Sequence, residues 1–305
     1  MRGLNKVIVF GGSGFLGSHV ADSLTNKGFD VTIFDIKNSP YLQDSQKMIV
    51  GDIMDRDLLD EAIKGNTIVY NYAGIADIDE CHRRPLDTIK YNILGNAQIL
   101  ESAAKNKVKK YLFSSSAYVY SSSGSFYRIG KQASELFVEA FAEENKMDYS
   151  ILRYGSLYGD RADSRNSLYR IIESALKNKE IDYYGDGDET REYIHVRDAA
   201  DLSVEALDDK YSNQILMLTG TKSIKYGDLL VMIKEMFQNN VEIVMHPKKS
   251  KTHYKMSPYS FNPKTAKKLV CNPHIDLGQG ILNLIGEIHK DINPGYNESD
   301  VLYKD

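Results

Sequence analysis

The stretch VIVFGGSGFLG, residues 7–17, decides the fold. Four apolar residues predict a buried strand, and the glycines that follow predict a tight turn into a helix. Gly11 permits the turn, Gly14 lets the backbone approach a pyrophosphate, and Gly17 lets the helix pack closely on the strand. A helix N-terminus favours such an anion. The sequence therefore predicts a dinucleotide site, with a plain glycine turn as the alternative; its residues are Gly11, Gly14, Phe15, Leu16 and Gly17.

Outward from this stretch, short apolar runs alternate with amphipathic segments. Strands are predicted over 7–10, 31–35, 48–50, 67–72, 111–114 and 151–154. Helices are predicted over 15–27, 56–64, 88–106 and 127–145. Nearly continuous Val/Ile/Leu strands with crossover helices are typical of a parallel sheet covered on both faces. Right-handed crossovers then predict an α/β fold with a doubly wound parallel sheet, the Rossmann arrangement.

The pattern changes near residue 155. Gly-, Asp- and Arg-rich loops interrupt helices predicted over 168–177 and 197–207, and the tail adds two more helical patterns and a loop over 247–263. We predict a dinucleotide-binding domain over 1–155 and a smaller substrate lobe over 156–305, partly interleaved with the first.

Two aspartates follow predicted strands. Asp35, at the end of the second, can accept hydrogen bonds from the ribose hydroxyls of NAD and would repel the 2'-phosphate of NADP, with a helix-capping or turn aspartate as the alternative. Asp52, after the third, is expected to reach the adenine edge together with Ile53, with the N-cap of the next helix as the alternative. The predicted cofactor is NAD.

A candidate base lies in the segment YRIGK, residues 127–131. Tyr127 and Lys131 are four residues apart, so they share one helix face. A phenol is a weak base at neutral pH, and a neighbouring ammonium favours its phenolate. Three serines, Ser114, Ser115 and Ser116, follow the fifth strand, and a serine there is expected to hydrogen-bond the substrate oxygen, with a polar turn as the alternative.

Composition excludes several classes of function. The formal charge is -4 and no long Lys/Arg run occurs, so neither nucleic acid nor an anionic membrane surface is an expected partner. Cys81 and Cys271 are far apart, which argues against a disulfide framework and a structural zinc site, and no metal is expected. Without an apolar stretch long enough for export, the expected location is the cytoplasm.

These residues resemble the extended short-chain dehydrogenase/reductases, the NAD-dependent epimerase/dehydratase group. The motifs that carry the resemblance follow in order along most of the chain: GGSGFLG at 11–17, Asp35, Asp52-Ile53, NYAG at 71–74, Asn92, SSS at 114–116, Tyr127 and Lys131, RYGSLYG at 153–159 and TREYIHV at 190–196.

The resemblance implies roles for single residues. Ser116, Tyr127 and Lys131 look like the catalytic triad, and Lys131 would also hold the nicotinamide ribose. Arg191 looks like the arginine that pairs with the diphosphate of a nucleotide sugar, against a surface salt bridge as its alternative, and Ser156 would lie near the same phosphates. The cofactor would further contact Tyr72, Ala73, Gly74, Asn92 and Tyr154.

The sequence departs from the family in several places. Phe10 replaces a usual threonine, Ser156 an asparagine, and the later substrate-binding arginine has no clear counterpart before Phe261, with Lys251 or His253 as substitutes. Ala117-Tyr118 replaces the Asp-Glu pair of 4,6-dehydratases, which argues against that reaction. Only ten residues separate Ser116 from Tyr127, fewer than the family usually has, which predicts a sugar pocket that is more open or that admits a larger sugar.

The predicted activity is NAD-dependent oxidation of a GDP- or UDP-linked sugar at carbon 4. We favour a 4-dehydrogenase of the kind found in heptose or deoxysugar pathways of capsule synthesis, with a 4-epimerase as the alternative. A non-catalytic dinucleotide sensor and an NADPH-dependent reductase are more remote. Kinship implies a homodimer or homotetramer joined through helices 88–106 and 127–145. The candidate apolar positions, with ordinary core as their alternative role, are Ile93, Leu94, Ile99, Leu136, Phe137 and Phe141.

Overall fold

The computed structural model describes residues 6–121, 123–247, 267–269, 271 and 274–292. Its strands are β1 (Lys6–Phe10), β2 (Asp30–Asp35), β3 (Lys47–Val50), β4 (Ile68–Asn71), β5 (Lys110–Ser116), β6 (Asp148–Tyr154), β7 (Ser156–Tyr158), β8 (Glu180–Tyr184), β9 (Thr190–His195), β10 (Gln214–Leu218), β11 (Ser223–Lys225), β12 (Glu242–His246) and β13 (Lys267–Leu269).

The helices in these ranges are α1 (Phe15–Asn26), α2 (Arg56–Ile63), α3 (Ile78–Arg83), α4 (Pro85–Thr88), α5 (Gly95–Lys105), α6 (Ser125–Asn145), α7 (Ser167–Asn178), α8 (Val196–Glu205), α9 (Tyr226–Met236) and α10 (Leu277–Ile292). A π-helical turn, Ile89–Leu94, joins α4 to α5, and a 3₁₀ turn, Ala117–Tyr120, follows β5.

The central sheet is parallel and has the order β3-β2-β1-β4-β5-β6-β10-β13. All six predicted strands lie in it, and the doubly wound Rossmann fold is confirmed. Strand β1 explains the apolar run, because its residues 7–10 are fully buried and alternate between two cores. Val7 and Val9 pack with α1 and α8, and Ile8 and Phe10 pack with α2, α5 and α6.

The second half of the chain contributes to both the central sheet and a smaller lobe. Strand β10 pairs with β6, and β13 pairs with β10. The sheets β11-β9-β7 and β12-β8 lie outside the central one, and α7, α9 and α10 enclose a third core. The predicted division between residues 155 and 156 stays a prediction.

The predicted helix over 88–106 is not continuous. Its first part is α4 and the π-helical turn, and regular α-helix begins only at Gly95. The backbone carbonyl of Asn92, inside the turn, accepts the Ser134 hydroxyl of α6 at 2.6 Å. This contact satisfies a backbone oxygen from the irregular turn, which periodicity alone does not predict.

Within the described residues, none of the helices combines the length and apolar character needed to cross a membrane.

We expect Gly17→Ala to lower the free energy of unfolding by about 2 kcal/mol or more, since its Cβ would lie 2.2 Å from the rigid carbonyl oxygen of Gly11. The matched control is Gly286→Ala in α10, where no atom lies within 4 Å of the new Cβ. That change is expected to be neutral or to stabilise by up to about 1 kcal/mol. Urea denaturation measures both, and equal stabilities would contradict the close packing of α1 on β1.

Candidate active site

The glycine loop forms a cradle at the N-terminus of α1. Gly11 has a φ of +74°, and a Cβ there would lie 2.6 Å from the carbonyl carbon of Tyr72. Gly14 differs, because its Cβ would meet only the Gly11 oxygen, at 3.2 Å, and no side chain caps the helix that starts after it. Phe15, Leu16 and Gly17 form the first turn of α1. The loop therefore leaves room and backbone donors for a pyrophosphate.

Asp35 lies at the end of β2 beside this cradle. Its Oδ2 accepts the Ser13 backbone N–H at 3.0 Å, and its Oδ1 accepts that of Lys37 at 3.3 Å. Both contacts hold the carboxylate next to the glycine loop, where it can receive ribose hydroxyls.

Asp52 is exposed and accepts the backbone N–H of Met54 at 3.0 Å. The N-cap of α2 is Asp55, so the alternative role for Asp52 does not apply. Ile53 is buried and packs against Gly95, where a Cβ would come within 2.5 Å of its side chain.

Asn92 fixes the loop after β4. Its Oδ1 accepts the Ile75 N–H at 2.7 Å, and its Nδ2 donates to the Ile75 carbonyl at 2.9 Å. Gly74 has a φ of +134°, and a Cβ there would lie 2.7 Å from the Asn92 Oδ1. Asn71 holds the Ala73 N–H at 3.0 Å from the other side. Asn92 thus shapes the predicted cofactor loop through two side-chain hydrogen bonds.

The hydroxyls of Tyr72 and Tyr154 meet each other at 3.0 Å, and the Tyr154 hydroxyl also contacts the Ser203 Oγ at 2.6 Å. Burial raises the pKa of Tyr72 to about 12 and that of Tyr154 well above its usual range. Both phenols therefore stay protonated at neutral pH, and that of Tyr154 is directed toward α8.

Tyr127 and Lys131 lie one turn apart on α6, as predicted. The Lys131 Nζ is 5.8 Å from the centre of the half-buried Tyr127 ring and donates to the Ser114 carbonyl at 2.6 Å. Burial lowers the pKa of Lys131 to about 8, while the charges of Cys81 and Glu135 act to raise it. An ammonium beside a phenol favours the phenolate, so the pair has the electrostatics of a base.

Ser116 ends β5 and caps the 3₁₀ turn, because its Oγ accepts the Tyr118 N–H at 3.3 Å. This contact uses the oxygen as acceptor, so the hydroxyl hydrogen can be directed to another acceptor. The Tyr118 ring meets the Tyr127 ring edge-on, with 6.2 Å between centroids. Ser116 therefore combines both predicted roles, since it belongs to the polar turn and has a hydroxyl hydrogen available for the substrate.

The two candidate phosphate-binding residues lie in the three-stranded sheet. Ser156 of β7 is paired with Tyr193 of β9, two residues from Arg191, so positions 156 and 191 share a face. Arg191 is buried, not on the surface, and its Nη1 donates to the Thr190 carbonyl at 3.0 Å. Lys251, His253 and Phe261 lie outside the described residues.

Sequence reasoning missed four polar residues that hold the site: Asn71, Ser134, Glu135 and Arg153. Glu135 and Arg153 form a buried ion pair, with Nη2 and Oε2 2.5 Å apart. A signal was available for Glu135, which follows Lys131 by four residues on the same helix face. Arg153 begins the RYGSLYG motif, but that motif alone does not reveal its partner.

The described residues hold no group of three or more His, Cys, Asp or Glu side chains placed to bind a metal ion. Cys81 and Cys271 are free thiols.

A family model, the NAD dependent epimerase/dehydratase family, matches residues 7–217. The chain belongs to this family. As an epimerase/dehydratase family member it is an NAD-dependent enzyme, and the residues present fit the cofactor: a Cβ at Gly14 would meet only the Gly11 oxygen, α1 begins without a side-chain cap, and Asp35 is held beside the glycine loop.

Individual relatives align with almost the whole of this chain. A putative UDP-glucose 4-epimerase of Methanocaldococcus jannaschii is 28% identical, over 92% of this chain and 97% of the relative. A UDP-N-acetyl-alpha-D-glucosaminuronate decarboxylase of Bacillus cytotoxicus is 26% identical, over 92% and 96%. The fold is similar to a crystal structure of UDP-glucose 4-epimerase from Thermotoga maritima with UDP-glucose, with a TM-score of 0.83 at 23% identity over 94% of this chain and 100% of that one.

We expect Asp35→Ser to weaken NAD binding about tenfold and to reduce the preference for NAD over NADP, because the carboxylate that receives the ribose and repels a 2'-phosphate is gone. The control is Asp30→Ser, which removes the same charge from the opposite end of β2, where Asp30 pairs with Lys47. Calorimetric titration with each dinucleotide measures the change. An unchanged ratio of affinities in Asp35→Ser would refute the assignment.

Proposed function

We propose that the protein is a nucleotide-sugar 4-epimerase that acts on a UDP-linked sugar. The observation that carries the proposal is the meeting of Tyr127, Lys131 and the end of β5 at the edge of the sheet that also carries the glycine cradle. Parallel pairing supports this, because Ser116 is opposite Tyr154 and Phe10 is opposite Asn71. All these strands therefore end at one edge, where α/β proteins bind ligands.

Each residue then has a defined task. Ser116 donates its hydroxyl hydrogen to the oxygen on carbon 4 and steadies it. Tyr127, as phenolate, takes the proton of that hydroxyl as the carbinol is oxidised, and Lys131 stabilises the negative charge. NAD, when bound, supplies the hydride acceptor and later the hydride donor. Tyr127 returns the same proton when the opposite face of the ketone is reduced, so protons balance over the cycle.

The relatives favour the epimerase alternative over the 4-dehydrogenase. The archaeal relative and the Thermotoga structure are both described as UDP-glucose 4-epimerases. They also favour UDP over GDP as the nucleotide, and the decarboxylase relative is named for a UDP-linked sugar as well. The specific heptose or capsule role stays a prediction. The cytoplasmic location stays a prediction.

The test is incubation of the purified enzyme with NAD and a panel of UDP- and GDP-linked hexoses, followed by NMR of the sugars and absorbance of NADH. An epimerase inverts carbon 4 without net NADH, whereas a dehydrogenase releases one ketone for each NADH. A 4-keto product that accumulates with NADH would overturn the proposal in favour of the dehydrogenase, and turnover only with GDP-sugars would overturn the choice of nucleotide.

Tyr127→Phe removes the base and is expected to lower turnover by a factor of about one hundred or more, with NAD binding retained. Tyr169→Phe on α7 removes a hydroxyl away from β5 and should leave turnover unchanged. The measurements are steady-state rates and NAD affinity for each variant. Full activity of Tyr127→Phe would remove the base from the mechanism and reopen the sensor alternative.

We further propose that the enzyme is a homodimer joined through α6 and the segment from α4 to the start of α5. Six large apolar side chains of α4, the π-helical turn and α6 are exposed and form what we term the α4–α6 apolar face: Leu86, Ile89, Leu94, Ile129, Leu136 and Phe137. Of the positions suggested by the sequence, Leu136 is 67% exposed, whereas Ile99 is fully buried and belongs to the core. An apolar face of this kind on a monomer marks an interface.

Leu136→Asp is expected to convert the dimer to a monomer, because it places a charge in the centre of a surface that must lose its water. Val231→Asp is the control, since Val231 is 51% exposed but lies on α9. Sedimentation equilibrium gives the mass of each variant. A wild-type monomer, or a dimer that survives Leu136→Asp, would contradict this interface.

A further inference from the structure

Helix α6 carries a third ionisable side chain in line with the proposed base. Tyr127, Lys131 and Glu135 are spaced by four residues, so they follow one helix face, one turn after another. Glu135 is only 6% exposed. A carboxylate removed from water to this extent requires partners.

Those partners come from the strands that end at the active site. The Glu135 Oε1 accepts the Arg153 Nε at 2.9 Å and the hydroxyl of Ser115, and the Oε2 accepts the Arg153 Nη2 at 2.5 Å. Ser115 of β5 and Arg153 of β6 are opposite each other in the sheet. The carboxylate therefore ties α6 to the ends of both strands.

The same cluster reaches the turn behind Ser116. The Arg153 guanidinium lies over the ring of Tyr120, 4.4 Å from its centroid, and Tyr120 ends the 3₁₀ turn that Ser116 caps. Displacing Arg153 would therefore loosen the turn as well as the helix.

The charges that face Lys131 come from a few elements. On the β5 side, the described groups are the Ser114 carbonyl and the Phe113 ring, both neutral. On the α3 side, Cys81 acts on Lys131, but burial raises the pKa of that thiol, so it is uncharged at neutral pH. Of the two groups that act to raise the pKa of Lys131, Glu135 is therefore the one that is negatively charged at neutral pH. Arg153 partly offsets this charge.

We propose that Glu135 is a positioning residue of the reaction, which fixes α6 against β5 and β6 and supplies a negative charge one turn beyond Lys131. This rests on the proposed function of Tyr127 as base. Stability alone is a weak reason for such a pair, because a buried ion pair contributes little more than an apolar replacement of the same volume. Its place between the base-bearing helix and the serine-bearing strand gives it a functional reason.

The direct test follows the titration of Lys131 by carbon-13 NMR of labelled lysine in the NAD-bound enzyme, with the resonance assigned by its loss in Lys131→Met. We expect titration near pH 8 in the wild type and about one pH unit lower in Glu135→Gln, because the attractive charge is removed and Arg153 is left unpaired. Glu135→Asp keeps the charge and should shift the titration by far less. The double variant Glu135→Gln/Arg153→Met should fall between wild type and Glu135→Gln.

Activity gives the second readout. The ammonium is lost as pH rises through its pKa, so the alkaline limb of kcat/KM should move to lower pH in Glu135→Gln. Glu135→Asp should lower kcat severalfold without moving this limb, since it shortens the reach to Arg153 and keeps the charge. A Lys131 titration that is unchanged in a folded Glu135→Gln would overturn the proposal.

The same variants distinguish a failure to fold from a failure of the proposal. Should Glu135→Gln not fold, the double variant leaves no unpaired buried charge, and a Lys131 pKa at or above that of the wild type there would equally overturn the proposal. An active Tyr127→Phe would instead defeat the proposed function, whatever Glu135 does.

Discussion

A close backbone contact between Gly11 and Gly17, the first and last glycines of the loop after β1, determines how α1 packs on β1 and so where the edge of the sheet meets the helix. The carbonyl oxygen of Gly11 fills the space where a side chain of residue 17 would begin. Because nothing separates them, α1 lies directly on β1, and its positive end is held at the carboxyl edge of the sheet. The parallel order of β1, β4, β5 and β6 then brings the Asn92-bound loop, Ser116 and the Tyr154 region to that edge.

The neighbouring tyrosines differ in chemistry because of their surroundings. Tyr72 and Tyr154 are enclosed by the core and hydrogen-bond each other, which makes their ionisation costly. Tyr127 is half-buried and has an ammonium one turn away. In the proposed mechanism, the choice of Tyr127 as the base therefore depends on solvation and on a neighbouring charge, not on the residue type.

Much of the central sheet could be predicted from the sequence, and much of the rest could not, for physical reasons. Strands β1, β2, β4, β5 and β6 are largely buried on both faces, so their apolar runs are nearly continuous. Strands β7 and β11 have only three residues each, and their pairing with β9 depends on distant parts of the chain. The π-helical turn was missed because it keeps a helical composition while its hydrogen bonding changes.

The candidate site, like the fold, could be predicted only in part from the sequence. Tyr127, Lys131 and the glycine loop have local spacings that express their chemistry, and the structure brings them to one edge. The spacing of Glu135 from Lys131 and the place of Arg153 in the RYGSLYG motif do not reveal that the two residues meet. A charged residue on a helix usually faces water, and only the β5–β6 register shows that this pair is enclosed. Roles that depend on one residue meeting another across the fold therefore required the structure.

The position of β13 has a consequence for how the chain matures. Residues 6–154 supply six adjacent strands of the sheet, in the order β3-β2-β1-β4-β5-β6. The next two strands, β10 and β13, come from residues 214–218 and 267–269. As the polypeptide leaves the ribosome, the early strands can associate first, and the edge of β6 stays unpaired until β10 has been synthesised. An unpaired strand edge can pair with another chain, and the pairing of β10 with β6 closes this edge.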